Sequence, residues 1–200
     1  MNHENDQIEQ EQSPDKTPSG RDTFKRDLKL FGNVKVLCVS ALLCALTFVL
    51  AFAAKLIQGT SPLRFTIEGL PIILSGILFG PLIGAVIGVG SDLLSCALSG
   101  QAINPLITVG VACIGLLAGL ISHYIRTKPG LLQIILCESV SHLVGSVVIK
   151  SVALHAYGYE WAYLALRIPI YIGVIVIESI LLYLLLQSKI IQKEIRRLYS

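Results

Sequence analysis

A bilayer core of ~30 Å takes about 20 residues of helix. The apolar run from Ile67 to Leu98, broken at Phe79-Gly80-Pro81, is therefore either one long span or two short helices in a hairpin. Gly80 supplies the backbone angles of a tight turn. Pro81 suits the first turn of a new helix, where a missing N–H is no loss. The choice fixes the sidedness of every later segment, so charge can test it.

Hydrophobic residues make up 54% of the 200 and charged residues 14%. Several apolar runs of about 18 residues or more place the chain among membrane proteins, as one domain. The net charge of +3 matters only through its distribution. Cys38, Cys44, Cys96, Cys113 and Cys137 all lie inside apolar runs with no C-x-x-C pair. They read as small buried hydrophobes, neither disulfides nor metal ligands. Residues 1–32 are polar, without hydrophobic period, and are expected to be a disordered cytoplasmic tail. With no small-residue cleavage site after the first apolar segment, that segment is expected to remain as a membrane helix.

The candidate spans are Val34–Leu56, Ile67–Phe79, Pro81–Leu98, Pro105–Ile125, Leu131–Leu154 and Ile168–Gln187. Lys25, Arg26, Lys29 and Lys35 precede the first, Arg126 and Lys128 separate the fourth and fifth, and Lys189, Lys193, Arg196 and Arg197 follow the last. With the hairpin counted as two spans, all three clusters fall on one side, which the positive-inside rule makes cytoplasmic. With one span, the middle cluster lands opposite the first. The expectation is an all-α integral membrane protein of the cell membrane: six transmembrane helices in one bundle (residues 33–190), both termini cytoplasmic, and a short cytoplasmic tail over 191–200.

Lys55, Arg64, Lys150 and Arg167 then map to the outer ends of helices or an outer loop, with Glu68, Asp92, Asn104 and His155 in the same layer. Ionisable side chains at membrane depth are costly unless they meet a partner or a wet cavity. As a group they point to a polar cavity open to the outside; singly, each also reads as a snorkelling or salt-bridged side chain. Cations in excess over carboxylates predict an anionic ligand. Arg64 and Arg167 suit carboxylate recognition, Lys150 a point charge, and Asp92 an N–H-rich heterocycle. Tyr157, Tyr159, Trp161 and Tyr163 read either as a stacking surface or as an interfacial belt.

Gly76, Gly80, Gly84 and Gly88 recur every fourth residue, and Gly115 and Gly119 repeat the spacing. Small residues at this period let helices approach closely in lipid, here within the bundle. Ala41 and Ala45, with Ala53 and Ala54 further on, form a stripe on the first helix that either packs internally or docks a partner subunit.

The run Leu70-Pro71 through Phe79-Gly80-Pro81, Gly84 and Gly88 to Ser91-Asp92-Leu93-Leu94 resembles the substrate-binding (S) components of energy-coupling factor (ECF) vitamin transporters, most closely the folate family. Arg64-Phe65-Thr66, Ile103-Asn104-Pro105-Leu106-Ile107-Thr108, Arg167-Ile168-Pro169 and Glu178-Ser179 also match, over roughly Val34 to Leu186. The fourth helix opens Asn104-Pro105-Leu106-Ile107-Thr108 where that family usually reads Pro-Gly-Phe-Thr. The resemblance implies a six-helix subunit that binds a vitamin from outside, associates with a transmembrane coupling protein and two ATPases, and topples to release its ligand. It also matches Ala41 and Ala45 to the family's coupling-protein contact.

On this reading Asp92 meets the pterin of a folate-like vitamin, Arg64, Lys150 and Arg167 face its carboxylates, and Asn104 and His142 are secondary contacts. His142 lies deeper and also suits Glu138 or a neighbouring helix. No catalytic residue, cofactor, metal or nucleic-acid partner is expected. Glu138 and His142, four apart, are the nearest approach to a membrane hydrolase's metal cluster, but no third ligand recurs at that depth. No Gly-rich phosphate loop with Lys is present, so ATP is expected to be hydrolysed on partner subunits. The alternatives are an S component for another water-soluble vitamin and a stand-alone secondary transporter of a small organic anion, for which no inverted repeat is visible.

Overall fold

A computed structural model describes residues 28–59, 63, 65–124, 130–189 and 191–193. Arg64, Arg126, Lys128 and the terminal basic residues Lys25, Arg26, Arg196 and Arg197 lie outside them. So do most of the tails expected over 1–32 and 191–200. Residues 28–31 form a helical turn whose Leu30 and Phe31 pack against the core.

The described residues are helical, with no strand among them. In chain order the elements are α1 (Val34–Gln58), α2 (Gly69–Phe79), α3 (Pro81–Ser99), α4 (Pro105–Tyr124), α5 (Leu131–Ala156), the short α6 (Trp161–Ala165) and α7 (Arg167–Gln187). All but α2 and α6 are long and apolar enough to cross a membrane. Their outward faces carry Leu42, Val49, Leu132, Val148, Ile172 and Leu184, as a lipid solvent allows. The cysteines follow the same logic: Cys137 is buried, whereas Cys38, expected inside, is exposed on the apolar surface of α1.

The α2–α3 hairpin forms around Gly80, whose φ of 101° favours glycine, with Pro81 opening α3. Its two legs close on each other and on α4 through backbone. A Cβ on Gly84 would stand 2.6 Å from the Gly115 carbonyl oxygen and 2.9 Å from the Gly76 Cα. One on Gly115 would stand 2.2 Å from the Gly84 oxygen. The glycine spacing therefore serves packing within the bundle. Phe79, Ile72, Ile73, Ile114 and Ile134 fill the core around it.

Helix α2 has 11 residues, which at 1.5 Å each is only ~16 Å. The sequence predicts helix from Ile67, but residues 65–67 are non-helical and α2 begins at Gly69. There the backbone abuts His142 and Glu178, which lie midway along α5 and α7. A Cβ on Gly69 would be 2.7 Å from His142 Cε1 and 3.0 Å from Glu178 Oε2. The chain thus runs to the middle of the bundle before winding into helix.

Non-helical backbone at such depth is tolerated only where protein or a wet cavity satisfies it. Gln58 does so for Phe65, accepting its N–H at Oε1 (2.8 Å) and donating from Nε2 to its carbonyl (2.6 Å). Thr66 Oγ1 accepts the Glu68 N–H at 3.2 Å. The Leu70 N–H, in the first helical turn, is shared between the Ile67 carbonyl (3.3 Å) and Glu178 Oε1 (3.0 Å).

Candidate functional site

Because residues 65–68 do not fill their share of the bundle as a helix, a cavity of about 400 Å³ remains between them and α1, α3, α4, α5 and the start of α7. That volume falls within the range of small-molecule sites, roughly 300–1,000 Å³. Exposed Gln101, Ala102, Tyr157 and Tyr159 stand at its rim, and buried Gly69, Ile72, Ile114 and His142 at its floor.

Of the residues singled out by sequence, Asp92, Asn104, His142, Lys150 and Arg167 line this one cavity. Arg64 lies outside the described residues. Asp92, on α3, is oriented from α4: Thr108 Oγ1 donates to its Oδ2 at 2.6 Å. Asn104 caps α4, its Oδ1 accepting the Leu106 N–H at 3.0 Å. Lys150 Nζ stands 3.8 Å from Glu68 Oε1. Lys55, on α1, donates to Ser99 Oγ (3.1 Å) and Gln101 Oε1 (3.0 Å), tying the rim of α1 to the end of α3.

Arg167 differs from these. It is 4% exposed, and its Nη2 donates to the Ser146 carbonyl (3.1 Å) and the Tyr171 hydroxyl (3.2 Å). Its Nε and Nη1 are buried with no hydrogen-bond partner among the described residues. An unmatched donor of this kind costs about 1–3 kcal/mol, more when charged. With Nη2 committed, the fork expected for a carboxylate is not offered whole; Nε and Nη1 are the groups left for an anion. The Ser146 carbonyl lies in a stretch of α5, His142–Ile149, that winds as a π-helix. There the Lys150 N–H bonds to the Gly145 carbonyl, five residues back. Such segments recur at functional sites.

Beneath the floor lies a cluster that the spacing of Glu138 and His142 showed only in part. No third ligand at that depth was expected; α7 brings one, Glu178. His142 Nε2 donates to Glu178 Oε2 at 2.7 Å and lies 3.4 Å from Glu138 Oε2, all three residues being buried. His142 Nδ1 pairs with Ser146 Oγ at 3.2 Å. An acid inside the α7 run was itself the signal. Its partners, 36 and 108 residues away, leave no trace in local spacing.

The aromatic residues of the segment before α7 divide. Tyr157 and Tyr159 line the cavity, whereas Trp161 is 54% exposed and lies against the His155 ring, centroids 4.4 Å apart. The side chain of Tyr163 is outside the description. Tyr171, which the sequence reading did not select, lines the cavity between His142 and Arg167. Ala41 and Ala45 are exposed on α1, facing away from the cavity-lining Thr47 and Ala51.

The model of one protein family, the substrate-specific component of ECF transporters, matches residues 35–187. That interval contains every element from α1 to α7 except the first residue of α1, and the whole cavity. No curated protein matches the chain.

Proposed function

Since the chain belongs to the ECF transporter substrate-specific components, substrate-binding subunits of membrane transporters, we propose that it captures a folate-like vitamin in this cavity from outside. It delivers the vitamin through a coupling protein and two ATPase subunits, which hydrolyse the ATP. In this reading the bundle crosses the membrane six times with both termini cytoplasmic, and the non-helical stretch before α2 completes the second crossing. Exposed Ala41 and Ala45 face the coupling protein.

The observation that carries the reading is Arg167. A buried guanidinium with two unmatched donor groups, in a cavity also lined by Lys55 and Lys150, is a receptor for negative charge. The glutamyl carboxylates of a folate answer that charge, with Arg64 and Lys150 assigned to them as well. Asp92, steadied by Thr108, accepts from the N–H groups of the pterin. Tyr157 and Tyr159 offer flat surface at the rim, and Asn104 and His142 make secondary contacts.

Calorimetric titration of the purified chain with folate, reduced folates and other water-soluble vitamins tests this. Folates are expected to bind tightest, and Asp92→Asn to weaken them while leaving the fold intact. Unchanged folate affinity in Asp92→Asn overturns the pterin assignment. Preference for a vitamin lacking carboxylates overturns the ligand class.

A further inference from the structure

Of the Glu138–His142–Glu178 cluster only His142 lines the cavity; Glu138 and Glu178 lie below it and have no part in the capture of an organic anion. We infer that it is a binding site for a divalent transition-metal ion of the zinc type, held by His142 Nε2 and one oxygen from each glutamate. The inference does not depend on which vitamin the cavity takes.

Three observations carry it. First, one ligand atom from each residue falls within 4.8 Å of the others, and all three residues are buried. Second, both carboxylate oxygens of Glu138 are buried with no hydrogen-bond partner among the described residues. A buried carboxylate is ordinarily paired or metal-bound. The single hydrogen on Nε2 cannot serve two carboxylates: it bonds Glu178 and leaves Glu138 at 3.4 Å. An ion in its place serves both.

Third, the atoms that would not touch the metal are already held. Ser146 Oγ stands 3.2 Å from Nδ1, so the ring proton moves to Nδ1 and donates there, freeing the Nε2 lone pair. The Leu70 N–H fixes the second oxygen of Glu178. Metal-ligating histidines and carboxylates are typically oriented by such outer hydrogen bonds.

The geometry asks for shifts within a cluster whose ligand atoms already lie within 4.8 Å of one another. Ligand atoms on a common tetrahedral ion at ~2.1 Å lie roughly 3.4 Å apart. The His142–Glu138 distance already has that value, and the 2.7 Å His142–Glu178 contact must open. One imidazole with two carboxylates suits zinc, cobalt, iron or manganese better than calcium. His142 lines the cavity and gives the ion its route in. The ion would fasten α5 and α7 to the N-terminus of α2.

The test uses tag-free full-length protein, purified in detergent, stripped with chelator and titrated with Co²⁺ without vitamin. One equivalent per chain is expected, with the visible absorption of a low-symmetry cobalt site, displaced by Zn²⁺. Glu138→Gln and Glu178→Gln should lose it, and Ser146→Ala should weaken it roughly 10–100-fold. His155→Ala, at the C-terminal end of α5 and not lining the cavity, should leave it unchanged. Absence of stoichiometric cobalt in the wild-type protein overturns the proposal, showing that protons alone balance the cluster. Equal binding in Glu138→Gln overturns it too, and the wild-type titration decides even if a variant fails to fold.

Discussion

Two sides of the same bundle hold their helices together by opposite means. Where α2, α3 and α4 meet, Gly76, Gly84, Gly88, Gly115 and Gly119 let backbones touch. Where α5 and α7 meet the start of α2, the contact is polar: Glu178 reaches the Leu70 N–H, His142 bridges to Glu178, and Arg167 grips the Ser146 carbonyl. In lipid there is no hydrophobic drive between helices, so close packing and interhelical hydrogen bonds are the available forces. The glycine contacts are spent on packing, while α3 and α4 carry Asp92 and Asn104 to the cavity on another face. The polar side keeps unmatched groups, and those groups face the cavity or lie beneath it. One side is frame, the other is where a ligand changes the energy.

The sharpest way to break this contrast is to add one methyl group to the frame. In Gly115→Ala the new Cβ would sit 2.2 Å from the Gly84 oxygen, a backbone atom that cannot swing aside. The expected loss is about 3 kcal/mol, at the upper end for overpacking, seen as a lower unfolding temperature in detergent. Gly90→Ala, on the partner helix α3 but with only Cys44 Sγ at 3.5 Å, is the control. It should hold or raise stability, because glycine is intrinsically poorer than alanine in a helix by about 1 kcal/mol. Equal losses in both would mean that these helices are sensitive all round and the frame is not localised.

The polar side should answer in the reverse sense. Arg167→Met removes a buried charge with unmatched donors, so the unliganded protein is expected to keep its unfolding temperature or gain slightly. Affinity for an anionic ligand should fall by about 2–5 kcal/mol, the cost of losing one partner of a buried charged contact. Calorimetry beside thermal unfolding separates the two. A variant that loses stability while binding normally would make Arg167 a structural clamp.

These two sides were unequally legible in the sequence. Glycine periodicity is local: a spacing of four states which face approaches a neighbour, and the hairpin at Gly80-Pro81 follows from two adjacent residues. The long spans, too, are written in consecutive apolar residues. What spacing cannot carry is pairing between distant segments. Glu178 stood in plain view in an apolar run, but nothing near it shows that it meets Leu70 and His142. The start of α2 was misplaced for the same reason. Ile67 and Glu68 look helical locally, and it is Gln58, Thr66 and the wet cavity that make extended backbone tolerable there. Arg167 was selected as a cation at the outer end of the last span. That Nη2 would be committed to Ser146 and Tyr171 required the fold.

The smallest effect concerns Asn104, which belongs to both kinds of side at once. Its Oδ1 caps α4 through the Leu106 N–H, a frame role, while its place at the cavity makes it a candidate contact. Asn104→Ala should cost about 1 kcal/mol of stability, as a lost N-cap does, and weaken ligand binding several-fold. Asn104→Ser replaces the acceptor but not the amide, so it should restore the unfolding temperature and leave binding weak. If serine restores both, the residue is a cap alone. If it restores neither, the Leu106 bond is not what stabilises the start of α4. Only recovery of stability without affinity places Asn104 on the ligand's side of the molecule, because a hydroxyl can receive the helix N–H but cannot supply an NH₂ group to the cavity.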